Sequence, residues 1–576
     1  MSDTAETVSD TRPSSDSETG YRVLLVLAVI VAYGPIVLVN QVFWDDWVVL
    51  AYAKLGTLWD LYKEMGGREV YPVVKPFVTV ADPRCWTTTE LWLFCALAPL
   101  IHTIIRRVTN WPAQDAFWAA LLTALVPLNQ ARFALTTVTY AFSCVLFALS
   151  IVLLLRDLKA SSIGRRILVV VLLTMSFTTQ SFLVLAWFAP MAVAIDAWRK
   201  AEAASSWRKQ AGAAIRGVLS RGELLLAPPL YWLGKQILQP TSGLYAEYNK
   251  IQLDLPSAIK GTLVAAADQF ANARFLLPPA ADLPQLGIAA ALAIALLAGV
   301  ARIWRLPLRS AEHAASGSRR IENALTLVVA AALVFSALFP YVFVGKPPRF
   351  NGLWETRHQT TLMMVSGFVI YAVLRLAAPQ RFLSGIAAIL AAGFLLIDIS
   401  VTHRLVADGL ELRALSNYFK AHPAPPGTMM FVVENDRDYR TLGRFLPFYE
   451  LAYLINADRP GNPTLPFSNR DVLDPATRTY AAKATVPAVM AALRGVCEKF
   501  RSKPQYGFGG FVSNGQIETV KLVTNQPPPG PFRAIGLAFR ASSATESSQE
   551  LAALVRVERE IAPIGGACVA PCCKDH

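Results

Sequence analysis

The sequence predicts an α-helical polytopic membrane protein of about eleven transmembrane helices, followed by a small α/β domain. Three observations lead there. The 576 residues are 54% hydrophobic and only 16% charged, with a mean hydropathy of +0.39, whereas a soluble domain carries about a quarter charged residues. Apolar runs of roughly 18–22 residues, each long enough for a ~30 Å hydrocarbon core, recur along the first two-thirds of the chain. Lys and Arg, which give a net charge of +13, concentrate in the short links between those runs. That distribution reports orientation, and it argues against the nucleic-acid partner that a basic chain otherwise suggests.

Residues 1–20 are polar and rich in Ser, Thr and Asp, and read as a disordered cytoplasmic tail. The run from Tyr21 is too long for a signal peptide and has no small-residue cleavage site, so it reads as a retained first span. Spans are expected near 21–42, 89–106, 113–128, 133–155, 166–178, 182–198, 219–238, 284–303, 321–343, 358–377 and 382–401. The fifth is short, and "SFTTQS" (176–181) reads either as an outer turn or as a hairpin within the membrane. Arg106 and Arg107, then Arg156 to Arg166, "WRKAEAASSWRKQ" (198–210), Arg302 to Arg320, and Arg375 with Arg381 fall in alternate links. The positive-inside rule places those links in the cytoplasm. Loops 43–88, 239–283 and 344–357 then face outward, the second carrying a surface helix around "PSAIKGTLVAAADQFANARFL". The chain divides into the tail (1–20), a transmembrane domain (21–401) and an extracytoplasmic domain (402–576), in the plasma or inner membrane. Within the last, "RALSNYFKAH" has helical spacing, and "TMMFVVEN" (428–435) is a β-rich run between Pro-Gly and Asn-Asp.

Cys497, Cys568, Cys572 and Cys573 all fall in that outward domain, where disulfides persist. A bridge from Cys497 to one of the other three reads better than a Cys/His metal cluster, because "CVAPCCKDH" does not match zinc-site spacing. No P-loop, dinucleotide fingerprint or His-Glu-x-x-His occurs, so nothing points to ATP-driven work.

"FWDDW" (43–47) stands at the outer mouth of the first span. Beyond it Trp44, Trp47, Val48, Ala51, Leu55, Leu58, Trp59 and Tyr62 recur at three- and four-residue spacing, one face of an amphipathic helix lying along the membrane surface. An aspartate there caps a helix start. One suffices, and a second adjacent carboxylate adds repulsion. Either Asp45 or Asp46 is thus left over as a general base, or the pair as oxygen ligands for a divalent cation such as Mg or Mn. In "GGREVYPVVKP" (66–76), Arg68, Glu69 and Lys75 return to the membrane between glycine and proline breaks, suited to lipid headgroups or to substrate. "GKPPRFNGLWETRHQ" (345–359) sets Lys346, Arg349, Arg357 and His358 at the outward start of a span. Cations there oppose the positive-inside trend, and a bound phosphate or diphosphate gives them a reason, the Arg fork supplying paired hydrogen bonds. Arg132, just after "PLNQ", reads either as reaching the same cavity or as capping a helix end. "ENDRD" (434–438) contains an Asp-x-Asp but reads as an exposed turn, and His403 and His422 have no identifiable partners.

"WDDW" at the mouth of the first span, the surface helix behind it, the many later spans, "ETRHQ" in a late outward loop and the outward terminal domain together resemble the GT-C superfamily. These are integral-membrane glycosyltransferases, and the resemblance is to their bacterial, polyprenyl-phosphate-sugar-dependent type. The resemblance covers most of the chain in architecture, and its specificity lies in the position of the acidic pair. It implies transfer of a hexosyl or pentosyl unit from a polyprenyl-phosphate-linked donor to a glycan, lipid or protein acceptor on the outer face, with inversion. It implies Asp45 or Asp46 as the base on the acceptor hydroxyl, with a divalent cation at the pair. Arg357 and His358, with Arg349 or Lys346, would hold the leaving phosphate. The "WWD" motif of oligosaccharyltransferases is absent, which leaves donor sugar and acceptor open. Two other readings use the same cations: a transporter or flippase for a lipid-linked glycan, and a lipid-linked glycan ligase or polymerase. The lack of an internal repeat counts against the transporter.

Overall fold

A computed structural model of the chain describes residues 15–201, 207–242, 245–246, 250, 254–272, 277–278, 280, 282–308, 318–348, 354–435, 444–456, 464–468, 514–526, 528–543 and 547–563. Arg349, Cys497, Cys568, Cys572, Cys573, Asp436 to Asp438 and the first fourteen residues of the amino-terminal tail lie outside them.

Eight helices among the described residues are long and apolar enough to cross a membrane: Ser17–Leu38, Pro83–Thr109, Leu135–Asp157, Ser181–Ala201, Leu283–Ile303, Leu325–Phe343, Thr356–Ala377 and Gln380–Ala421. This is the architecture of a helical membrane protein. Helices also form at the other three expected spans, Ala113–Leu125, Ile163–Ser176 and Gly222–Leu238, but have only 13, 14 and 17 residues. At 1.5 Å per residue they reach about 20–25 Å, short of a ~30 Å hydrocarbon core. Pro112 precedes the first of these three, and Pro228 and Pro229 interrupt the last.

The first helix, α1 (Ser15–Tyr33), passes at Gly34-Pro35 into a 3-10 turn, Gly34–Leu38, because proline supplies no backbone donor. Three short helices follow: α2 (Asp46–Lys54), α3 (Leu58–Glu64) and α4 (Tyr71–Val80). The one surface helix expected over 44–62 is therefore two. Gly56 separates them at φ +73°, a left-handed conformation that glycine takes without strain. Next comes α5 (Pro83–Thr109), started by the Asp82 side chain accepting from the Arg84 amide. It packs against α1, α6 (Ala113–Leu125) and α7 (Val138–Asp157). α6 in turn lies so close to α16 (Thr360–Ala377) that a Cβ on Gly367 would come within 2.0 Å of the Thr123 amide.

α17 (Gln380–Ala421) runs unbroken for 42 residues, about 63 Å. The last expected span and the separate helix read in "RALSNYFKAH" are thus one element, and the boundary expected at 402 falls in its middle. Polarity rises there, but no proline stops the helix until Pro423. Beyond it lies a four-stranded mixed sheet of β1 (Met429–Asn435), β2 (Leu465–Ser468), β3 (Gln516–Thr524) and β4 (Val555–Pro563), in the order β2-β1-β3-β4. β1 is parallel to both neighbours, with Met429 opposite Leu465 and Ile517, and β4 pairs antiparallel to β3. "MMFVVE" is buried throughout, as a central parallel strand must be. α18 (Phe448–Asn456) forms part of the crossover between β1 and β2 that their parallel pairing requires. Two further helices, Pro531–Ser543 and Ser547–Ala552, pack on α17.

Candidate functional site

At the end of the bundle where α1 gives way to "FWDDW" lies a cavity of about 720 Å³. Asp45, Lys346, Arg357 and His358 line it, side chains from loops some three hundred positions apart.

The acidic wall begins with a turn. Trp44 sits at φ +50°, an uncommon conformation for a bulky residue, which the surroundings hold in place. Its amide donates to Glu450 Oε1 at 2.6 Å, and its ring stacks on Trp354 with centroids 5.3 Å apart. The two aspartates then part company. Neither makes a side-chain cap on α2. Asp46 is buried and accepts from the amides of Leu135 and Thr136 at 2.7 and 2.9 Å, and from the Thr136 hydroxyl at 3.0 Å. It thereby satisfies donors at the start of another helical segment, the one that leads into α7. Burial pushes its carboxyl up to about 7, against the pull of those amide donors, and neighbouring Asp45 adds to the rise. Asp45 is half-buried and lines the cavity.

The cationic wall is a 3-10 segment, Trp354–Gln359, leading into α16. Arg357 Nη1 donates to the Trp354 carbonyl at 3.0 Å, and the guanidinium lies 4.3 Å from the centre of that indole. Trp354 therefore touches both Trp44 and Arg357, joining the acidic and cationic walls. His358 stacks on Tyr341 at 5.0 Å. Lys346 follows α15 (Ser318–Phe343), its amide donating to the Tyr341 carbonyl at 2.7 Å. The segment is braced from behind: Thr356 Oγ1 accepts from the amides of Gln130 and Ala131 at 3.0 and 3.1 Å, and Asn129 donates to Thr360 Oγ1 at 2.8 Å.

The other residues singled out from sequence stand elsewhere. Arg132 is buried, donates from Nε to the Asn129 carbonyl at 2.5 Å and lies over the Tyr33 ring, whose hydroxyl donates to Asp398 at 2.7 Å. It holds bundle helices together and does not line the cavity. Glu69 accepts from Lys235 Nζ at 2.5 Å and the Tyr231 hydroxyl at 3.2 Å. Arg68 reaches the Leu238 carbonyl at 3.5 Å, and Lys75 lies over the Tyr71 ring. Glu69 and Arg68 tie the first outer segment to α12 (Gly222–Leu238), and none of the three lines the cavity. Lys235 does line it. A cation near the outer end of an expected span was its signal, the same one carried by Lys346 and Arg357.

Sequence reasoning also missed a clamp from the terminal domain. Arg444, buried, donates to both Asp408 oxygens at 2.9 and 3.0 Å and to Glu450 at 2.9 Å. Tyr453 stacks on Trp47 at 6.0 Å with the rings nearly parallel. Through Glu450 and Tyr453, α18 grips the segment that carries Asp45.

Both Asp46 oxygens are engaged by donors, and Asp45 is the one carboxylate among the described residues that lines the cavity. So placed, the pair does not fit a cation shared between both carboxylates. Among the described residues no three His, Cys, Asp or Glu side chains gather as metal ligands. The arrangement offers one carboxylate in the same cavity as cations, with tryptophan and tyrosine in the walls. Comparison with models of known protein families gives no match, and comparison with curated proteins gives none either, so the functional reading rests on this geometry.

Proposed function

We propose that the chain is an inverting membrane glycosyltransferase of the GT-C type, using a polyprenyl-phosphate-linked sugar and a glycan, lipid or protein acceptor. One observation carries the reading: Asp45, the cations Lys346 and Arg357, and the imidazole of His358 line one cavity at a single end of an apolar helix bundle. An acceptor hydroxyl beside Asp45 gives its proton to the carboxylate as its oxygen attacks the anomeric carbon. The bond from that carbon to the phosphate oxygen breaks, and the phosphate leaves with the bonding pair. Arg357, Lys346 and Lys235 are placed to stabilise the charge that develops on it. A single displacement inverts the anomeric centre. Asp46 positions Asp45 by tying its segment to Leu135 and Thr136. No step is assigned to a divalent cation. In this reading all eleven bundle segments cross the membrane, the three short ones where other helices thin the apolar layer. The cavity and terminal domain then face outward.

The test is sugar transfer by purified protein from a panel of polyprenyl-phosphate sugars. Asp45→Asn is expected to lower the rate by about 10²–10⁴-fold with the fold intact. Arg357→Ala is expected to raise the KM for donor well above any change for acceptor. Full activity in Asp45→Asn removes the base assignment. Wild type that moves the lipid between leaflets without transferring sugar replaces the transferase by a flippase. Acceptance of glycan-diphosphate donors alone replaces it by a ligase or polymerase.

A further inference from the structure

A second cavity, of about 370 Å³, lies at the opposite end of α1 and α5. The start of α1 and the last turns of α5, α7 and α10 (Phe188–Ala201) converge on it. Five cations line it: Arg22, Arg106, Arg107, Lys159 and Arg199. Two acids do so as well, and both have partners: Glu18 pairs with Arg22 and Arg106, and Asp196 with Lys200 at 2.7 Å.

Cations near helix C-termini and inner headgroups are ordinary, and exposed Lys159 needs no other reason. Two of the guanidinium groups each have a nitrogen that is different. Arg107 Nη1 and Arg22 Nε are buried from solvent without a hydrogen-bond partner. His102, on the same wall, donates through Nε2 to the Ala113 carbonyl. The like charges of Arg156, Arg22 and Arg106 also act on Arg107. Buried donors left unmade are costly, and like charges gathered around a hollow add to that cost. An oxyanion in the hollow relieves both at once. The volume lies within the range of small-molecule sites, roughly 300–1,000 Å³.

We propose that this cavity is a binding site for a phosphate-bearing anion, gripped by the Arg107 and Arg22 guanidinium groups. The chemistry is shared by two sources, the headgroup of an anionic phospholipid and a free phosphate ester. The site is independent of the proposed transferase centre, so either assignment can fail alone.

The experiment measures thermal unfolding of the full chain in uncharged detergent at constant ionic strength. One arm titrates inorganic phosphate; the other titrates phosphatidylglycerol into the micelles, with phosphatidylcholine as the neutral control. A saturable rise in Tm is expected in one arm or both. Response to phosphate alone identifies a free ester as the source, and response to phosphatidylglycerol alone a headgroup. Arg107→Gln and Arg22→Gln should each raise the half-saturating concentration about tenfold or more. Wild-type responses in both variants, or no saturable response in either arm, overturn the site. Should one arginine variant fail to fold, the other decides: a shift of about tenfold supports the site and no shift overturns it.

Discussion

Adjacent carboxylates repel, and Asp45 and Asp46 relieve that repulsion by entering different surroundings, one lining the cavity and one closed. The closed one has a consequence for stability. Burial raises Asp46 to about 7, against about 3.9 in an unfolded chain. Between those values the folded protein holds a proton that the unfolded chain has released. The group's contribution to stability is therefore complete below pH ~4 and lost as the pH climbs through about 7. Asp46→Asn cannot titrate, so the Tm of wild type relative to Asp46→Asn should be higher at pH 5 than at pH 8. An equal difference at both pH values would show that the buried carboxyl is not protonated. From the sequence, two aspartates and one capping role left one residue over, without saying which. The deciding donors, Leu135 and Thr136, lie 89 and 90 positions away. No local pattern reports a pairing of that range. Arg132 posed the same difficulty: its aromatic partners Tyr33 and Phe94 are distant in the chain.

Elements were legible where local chemistry sets them. Apolar length located the spans, and the β-rich run "TMMFVVEN" between Pro-Gly and Asn-Asp forms β1, buried from Met429 to Glu434. They were misjudged where hydropathy and backbone geometry disagree. Periodicity ran through Gly56, yet its positive φ divides α2 from α3. Polarity suggested a stop at 402, yet α17 continues to Ala421. That continuation brings Asp408 to Arg444, and through Glu450 to the Trp44 amide. Arg444→Ala leaves two buried carboxylates without their cation, and a loss of about 3–5 kcal/mol in unfolding free energy is expected. Adding Asp408→Asn and Glu450→Gln to that variant should recover part of the loss. No recovery would mean that the ion pairs are not what Arg444 contributes.

For the molecule as a whole, the distribution of charge sets a prediction about sidedness. The links rich in Arg and Lys share the end of the bundle with the smaller cavity, and the Asp45 cavity lies at the other. Ser161 and Ser242 are exposed at these opposite ends. In a variant with the seven native cysteines replaced by serine, Ser242→Cys should be labelled by a membrane-impermeant maleimide in intact cells, and Ser161→Cys only in opened ones. The reverse pattern would invert the orientation drawn from the basic links.

The hydrogen bond from Trp44 to Glu450 also has a history in the making of the chain. Its partners are 406 positions apart, which at about 5–20 residues per second means a wait of roughly 20 to 80 s during synthesis. Through that interval the helices of the bundle are inserted one after another while the turn before Asp45 lacks its hydrogen bond to Glu450. A chain that stalls or is cut before α18 would lack the Glu450 and Tyr453 contacts to the segment that carries Asp45. On the proposed transferase reading, full activity would then arrive only with the last quarter of the polypeptide, and a half-made copy would act poorly on the substrates around it.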